Sequence, residues 1–193
     1  MQADAGEGKT RLEAALAAAA GFVRARPDDR IGLVGFARYP DLVCPPTLDH
    51  EAALERLLAV RPVAADGDED ATGIGHAVAF AVLALDRAAT RGKVVVLLTD
   101  GEVTNTDAVI DLATRHAGTA RFFTFGIGAG ASQHLVKGLA RASRGAAEFI
   151  SPGERIEAKV MRQFTRVFAP AMTGVKVAVR EMSPAAERVA LLT

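Results

Sequence analysis

The apolar run VVVLL at 94–98, inside KVVVLLTDGE, constrains this chain more than any other stretch of its sequence. A strand without polar alternation has to be covered on both faces, as in a parallel sheet that carries helices on each side. The run therefore predicts the centre of a parallel sheet, with Asp100 directly after the end of the strand.

The segments around this run alternate between helical and strand patterns. Helical patterns occupy 10–26, 48–60, 71–90, 106–117, 132–143 and 155–169, and strand patterns occupy 30–37, 39–46, 120–128 and 145–151. The 30–37 segment is apolar enough for a doubly buried strand, and prolines make 39–46 an edge strand. Thr47 is the expected cap of the second helix.

This alternation predicts an α/β fold, with a doubly wound, mainly parallel sheet and helices on both faces. We expect one domain over 1–170. A tail over 171–193 contains one further strand candidate, VKVAVR at 175–180.

The composition excludes several classes of function. Basic and acidic residues both number 23, so no overall field attracts nucleic acid or an anionic membrane. The single cysteine, Cys44, offers neither an internal disulfide nor a thiolate metal site, and we interpret it as a small buried apolar residue. No apolar run reaches the roughly 18 residues of a membrane helix. We expect no nucleic-acid partner and no membrane contact within the chain, and leave compartment and oligomeric state open.

The segment GEGKT at 6–10 raises the alternative of a nucleotide-binding loop. Such a loop needs a further glycine upstream of its Gly-Lys pair and a buried strand before it. Ala3 occupies the position of that glycine, and no strand pattern precedes it. Asp100, at the tip of an apolar strand, is nevertheless typical of the metal-holding residue of these enzymes. A nucleotide hydrolase using Lys9 and Asp100 is therefore the alternative to a binding module.

Longer strings carry a resemblance to a known family: TRLEAALAAAAGFVRARPDDRIGLVGFA, CPPTLDHEAALERL, DATGIGHAVAFAV and KVVVLLTDGE. They closely resemble the von Willebrand factor A domains of bacterial aerotolerance proteins of the BatA type. The second half, from EVTNTDAVIDLATRHAG onward, is similar instead to the A domains of vault and inter-alpha-trypsin-inhibitor-type proteins. Both branches share one fold, so the resemblance implies an A domain over almost the whole chain.

In this family the first strand ends in an Asp-x-Ser-x-Ser motif, and the segment after its methionine resembles QADAGEGKTRLEAA. The resemblance implies that Met1 falls on that methionine. The first strand, in the middle of the sheet between the strands at Ile31 and Val94, would then lie upstream of the chain, and the fold would lack it. GEGKT would be the loop that enters the first helix.

The resemblance also implies a metal-ion-dependent adhesion site, where Mg²⁺ or Mn²⁺ leaves one position for the carboxylate of a protein partner. Thr72 and Asp100 match two of its ligand positions, and the carboxyl ends of parallel strands are where such groups converge. Because a hard divalent cation takes about six oxygen ligands, this pair alone predicts weak or absent metal binding. Helix capping is the other interpretation of Thr72, and a turn that of Asp100. The expected function is a non-enzymatic protein-interaction module.

The remaining clusters carry weaker signals. The acidic loop at 66–70 is interpreted as a solvated charge run, and FGIGAGAS at 125–132 as a tight turn. The histidines are scattered over separate helices, without metal-ligand spacing. The basic residues between Arg115 and Arg144 are interpreted as solvated helix faces.

Overall fold

The computed structural model describes residues 10–63, 73–87, 92–100, 105–151, 154, 158–160 and 162–163. Its helices are α1 (Arg11–Arg24), α2 (His50–Leu58), α3 (Ile74–Asp86), α4 (Thr106–Arg115) and α5 (Gln133–Ala142). Its strands are β1 (Ile31–Phe36), β2 (Pro40–Thr47), β3 (Val94–Thr99), β4 (Arg121–Ile127) and β5 (Ala146–Ile150). Residues 158–160 and 162–163 are also helical. Lys9, Thr72, the acidic loop and the VKVAVR segment lie outside the described residues.

The described strands form two sheets. Strands β3, β4 and β5 are parallel and adjacent in that order, with Val94 opposite Arg121 and Phe123 opposite Ala146. Strands β1 and β2 form an antiparallel hairpin. Within the described part of the chain no strand joins β1 to β3. The predicted central position of β3 is therefore wrong for the described sheet, because β3 lies at its edge and β4 lies in the middle.

Helices cover both faces of the three-stranded sheet, which confirms the predicted α/β architecture. On one face, α1 and Val160 pack against alternate residues of β4, including Phe123 and Phe125. On the other face, α3, α4 and α5 pack against Phe122 of β4 and Leu97 of β3. Successive strand residues therefore enter opposite cores, as the pleat of a strand requires.

Burial distinguishes the middle strand from the two strands at the open edges. In β4 every residue after Arg121 is buried, whereas in β3 the valines are only half-buried although helices cover both of their faces. In β1 only Ile31 is buried. The prediction that the strand at 30–37 is buried on both faces is therefore wrong. β1 pairs with β2 along one edge, and no other described strand pairs along its other edge.

The start of α2 also differs from the prediction. The residue that caps α2 is Asp49, whose side chain accepts a hydrogen bond from the Ala52 N–H at 3.0 Å. Thr47 instead accepts from the Asp49 N–H at 3.0 Å, so its hydroxyl stabilises the turn before the helix. Leucines at 48, 54, 57 and 58 would share one face of this helix, but Leu48 and Leu58 are each 52% exposed and only Leu57 of the four is buried.

Two further predictions concern burial and the membrane. Cys44 lies in β2 and is 3% exposed, which confirms its interpretation as a small buried residue. Over the ranges described above, no helix has both the length and the apolar character that crossing a bilayer requires.

Candidate functional site at the carboxyl edge of the sheet

The carboxyl ends of β3 and β4 lie side by side, because the two strands are parallel and Thr99 is opposite Gly126. Asp100 follows β3 directly, and the loop after β4 packs against it. A Cβ atom added to Gly130 in that loop would lie 3.1 Å from the backbone oxygen of Asp100. Gly128 has a φ of +79°, a conformation that strongly favours glycine, so the loop turns tightly as its sequence predicted.

Arg11 brings a positive charge to this edge. Its Nη1 lies 3.7 Å from Oδ2 of Asp100, and the two side chains are only 21% and 18% exposed. Sequence reasoning missed this residue. The helix dipole disfavours a basic residue in the first turn of a helix, but the sequence does not say which acidic residue compensates it, so no local signal identifies this pair.

The beginning of α1 is fixed by a reciprocal cap. The hydroxyl of Thr10 accepts a hydrogen bond from the Glu13 N–H at 3.2 Å, and the Glu13 carboxylate accepts from the Thr10 N–H at 2.7 Å. Together the two bonds form a capping box. Because Arg11 directly follows the capping residue, the box also fixes where its side chain leaves the helix.

Thr72 lies outside the described residues, but the residue after it is placed. Gly73 caps α3 without a side-chain hydrogen bond, and its N–H donates to the Ala37 oxygen at 2.6 Å. A Cβ atom on Gly73 would overlap the carbonyl group of Arg38. The start of α3 is therefore held against the carboxyl end of β1. The meeting of Thr72 and Asp100 stays a prediction.

A divalent cation at Asp100 would need several further oxygen ligands besides this carboxylate. Among the described residues, no group of three histidine, cysteine, aspartate or glutamate side chains is arranged to hold a metal ion. The carboxylate of Asp100 instead faces the guanidinium of Arg11. Two of the four histidines have other contacts, since His50 Nε2 lies 2.8 Å from the Asp29 oxygen and His134 Nε2 lies 2.8 Å from Oδ1 of Asp107.

The basic residues singled out in the sequence have contacts within the protein. Lys137 donates to Oε1 of Gln133 at 3.1 Å, and its Nζ lies 5.4 Å from the centre of the Phe149 ring. Arg121 lies 5.5 Å from the centre of the Phe123 ring. Lys137 lies on α5, as the interpretation of this set as solvated helix faces predicts. For Arg121 that interpretation is wrong, because Arg121 is the first residue of β4.

A small ionic cluster lies at the end of β5. The Oε2 atom of Glu154 accepts hydrogen bonds from Nζ of Lys159 at 2.5 Å and from the Ser151 N–H at 2.7 Å. The hydrogen bond from Lys159, followed by that from Ser151, lowers the pKa of Glu154 below its ordinary value, because both donors favour the ionised carboxylate. Lys159 also donates to the Phe149 oxygen at 2.8 Å. The cluster therefore joins the following helical segment to β5.

The sequence profile of the von Willebrand factor type A domain matches residues 1–102, more than half of the chain. Mouse von Willebrand factor A domain-containing protein 5B1 is 41% identical over 85 residues, which are 44% of this chain and 7% of that protein. The chain therefore spans only a small part of the curated relatives it matches.

Two solved structures illustrate the likeness of the fold. BatB from Bacteroides thetaiotaomicron matches with a TM-score of 0.72 and 17% identity, over 86% of this chain and 92% of that one. Proximal thread matrix protein 1 from the mussel byssus, a structure with zinc in its metal-ion-dependent adhesion site, matches with a TM-score of 0.57 and 13% identity, over 81% of this chain and 41% of that one. At these identities the likeness concerns the fold alone.

Proposed function

Because the chain belongs to the von Willebrand factor type A domain family, a family of protein-interaction modules, we propose that it binds a protein partner at the carboxyl edge of its sheet and catalyses no reaction. The observation that supports this proposal is the position of Asp100, at the end of β3 and beside the tight turn after β4. Edges of this kind are where open α/β sheets bind their ligands.

The proposed contact surface consists of Asp100, the Gly128–Gly130 turn and the segment that contains Thr72. The family resemblance implies that a magnesium or manganese ion would accept a partner's carboxylate here. We propose that these 193 residues hold such an ion weakly or not at all, because only Thr72 and Asp100 match its ligand positions. The arrangement of the described donors around Asp100 supports this view.

The resemblance of the first half of the chain to bacterial aerotolerance proteins supports a role related to theirs. BatB shares the fold of this chain. The similarity of the second half to inter-alpha-trypsin-inhibitor-type domains supports a different cellular setting for the same binding chemistry. Both settings imply a protein partner. The nucleotide hydrolase using Lys9 and Asp100 receives no support from the described residues, where Asp100 contacts Arg11.

The proposal is tested by capture of partners on the immobilised chain from an extract of the source organism. We expect a discrete set of proteins to be retained by the wild type, and their retention to fall by roughly tenfold with Asp100→Asn, about 1.4 kcal/mol of binding free energy. Arg24→Gln, at the exposed far end of α1, is the matched control and should retain the same set.

Two results would contradict the proposal. Equal retention by the wild type and Asp100→Asn would place the contact surface elsewhere on the domain. Loss of retention by Arg24→Gln to the same extent would show that the effect is not specific to this edge. A thermal melt of each variant checks that the captured protein is folded.

A further inference from the structure

Arg11 and Asp100 form a contact between two elements that are far apart in the sequence. Arg11 is the first residue of α1, and Asp100 follows β3. The distance of 3.7 Å between Nη1 and Oδ2 brings opposite charges within ion-pair range, and about four fifths of each side chain is shielded from water. Shielding lowers the effective dielectric constant, so the attraction is stronger than between exposed charges.

The turn after β4 leaves room for the guanidinium group. A Cβ atom on Gly128 would lie 2.8 Å from Cζ and 2.9 Å from Nη2 of Arg11, which is closer than a Cβ atom normally approaches another heavy atom. The φ of +79° at Gly128 independently favours glycine at this position. The Gly128 N–H is itself bonded to the Ile150 oxygen at 2.8 Å, which holds the turn in place. The guanidinium therefore occupies a niche that the backbone keeps open.

The charges at this site argue against a metal ion next to Asp100. An arginine side chain stays protonated at any physiological pH, so its positive charge is permanent. A divalent cation on the same carboxylate would lie close to that charge and be repelled by it. A metal ion would also need further oxygen ligands, and the described residues provide no cluster of acidic groups for it.

We infer that Arg11 is the resident counter-cation of Asp100, and that its guanidinium neutralises this edge of the sheet where the family uses a divalent cation. The pair then joins the start of α1 to the end of β3 without help from a metal ion. The inference goes beyond the proposed function, because it concerns the free chain and requires no partner.

The test is a double-mutant cycle of Arg11→Gln, Asp100→Asn and the double variant, measured by urea unfolding in chelator and again in millimolar Mg²⁺. We expect the two substitutions to be coupled, with at least about a threefold effect on the unfolding equilibrium constant. The coupling should be the same in both solutions. Arg24→Gln combined with Asp100→Asn is the control and should show no coupling.

Three outcomes would overturn the inference. The first is the absence of coupling between Arg11 and Asp100, and the second is a coupling that disappears in Mg²⁺, which would mean that the metal takes the carboxylate. The third is an equal coupling between Arg24 and Asp100. The absence of coupling would not contradict the proposed binding of a protein partner, because the cycle is measured on the free chain. The capture experiment tests that binding separately.

A measurement on the unsubstituted chain covers the case in which a variant does not fold. The Nε–H signal of Arg11 in an NMR spectrum is assigned by its loss in Arg11→Lys. We expect its exchange with water to be slower than that of exposed Arg24, with and without Mg²⁺. Exchange as fast as that of Arg24, or a signal released by Mg²⁺, would overturn the inference.

Discussion

Ser143 shows at the residue scale how a buried hydroxyl joins two elements. Its Oγ accepts a hydrogen bond from the Phe122 N–H of β4 at 2.8 Å and donates to the Leu139 oxygen of α5 at 2.9 Å. Ser143 is fully buried. A serine of this kind can suggest a nucleophile, but its contacts here account for the hydroxyl as a structural group.

Replacing Ser143 by alanine should destabilise the domain. The Phe122 N–H would lose its hydroxyl acceptor in a buried setting, and such a loss costs about 1–3 kcal/mol. Urea unfolding monitored by circular dichroism measures the change. The control is Thr114→Ala, where an exposed hydroxyl bonded to the Ile110 oxygen is removed and the change should stay within about 0.5 kcal/mol. Equal losses in both variants would contradict this account.

Of the candidate site residues, Asp100 could be proposed from the sequence, and Arg11 could not. Asp100 was identified because it ends an apolar strand and matches a family position, and that reasoning needs only the local sequence. The partner of Asp100 depends on how α1 packs over the sheet, because Arg11 and Asp100 are separated by most of the first half of the chain. Local patterns carry no information on such a contact.

At the scale of elements, the connection from α5 to β5 depends on Gly145. Its N–H donates to the Ala140 oxygen at 2.9 Å, and a Cβ atom at this position would overlap the carbonyl group of Phe122 in β4. Backbone atoms cannot rotate away as a flexible side chain can. The glycine therefore permits the close approach that brings β5 beside β4.

We expect Gly145→Ala to lower the free energy of unfolding by about 1–3 kcal/mol or more. The matched control is Gly118→Ala, since Gly118 lies in a turn where a Cβ atom would have no neighbour within 4 Å. That variant should be neutral or stabilised by about 0.4–1 kcal/mol, because alanine restricts the unfolded chain. Thermal melts of the two proteins measure the difference, and equal stability would show that the connection can relax.

The order of the elements was predictable, and some of their details were not. Apolar periodicity located each described helix and strand, because it reports which side of an element is covered. The cap of α2 was assigned to Thr47 instead of Asp49, since both residue types accept hydrogen bonds from a helix start. The burial of β1 depends on which strands pair beside it, and a single strand pattern does not contain that pairing.

At the scale of the whole molecule, the described residues form a three-stranded sheet and a hairpin that share their helices. α3 contacts β1 and β2 and also packs in the core beneath β3 and β4. Phe36 of β1 packs against this same core. The hairpin is therefore attached through side chains and helices within the described residues, where no strand pairing links the two sheets.

The response of the whole chain to Mg²⁺ tests the proposed weakness of its metal site. We expect the same Tm in millimolar Mg²⁺ and in chelator, because Asp100 already has Arg11 as its counter-charge. If the chain had a metal site, Mg²⁺ at a hundred times the dissociation constant of that site would add about 2.7 kcal/mol to the free energy of unfolding. For a chain of this size that would raise Tm by roughly 5–10 °C. A shift of that size in a calorimetric or fluorescence melt would contradict the proposal.

The buried thiol of Cys44 has a practical consequence for the study of this hairpin. As the only cysteine of the chain, and 3% exposed within β2, it reacts with a thiol reagent only when β2 separates from its surroundings. The rate of labelling by such a reagent then reports the frequency of that opening without any engineered probe. Cys44 is thus a natural chemical probe for the local unfolding of the hairpin.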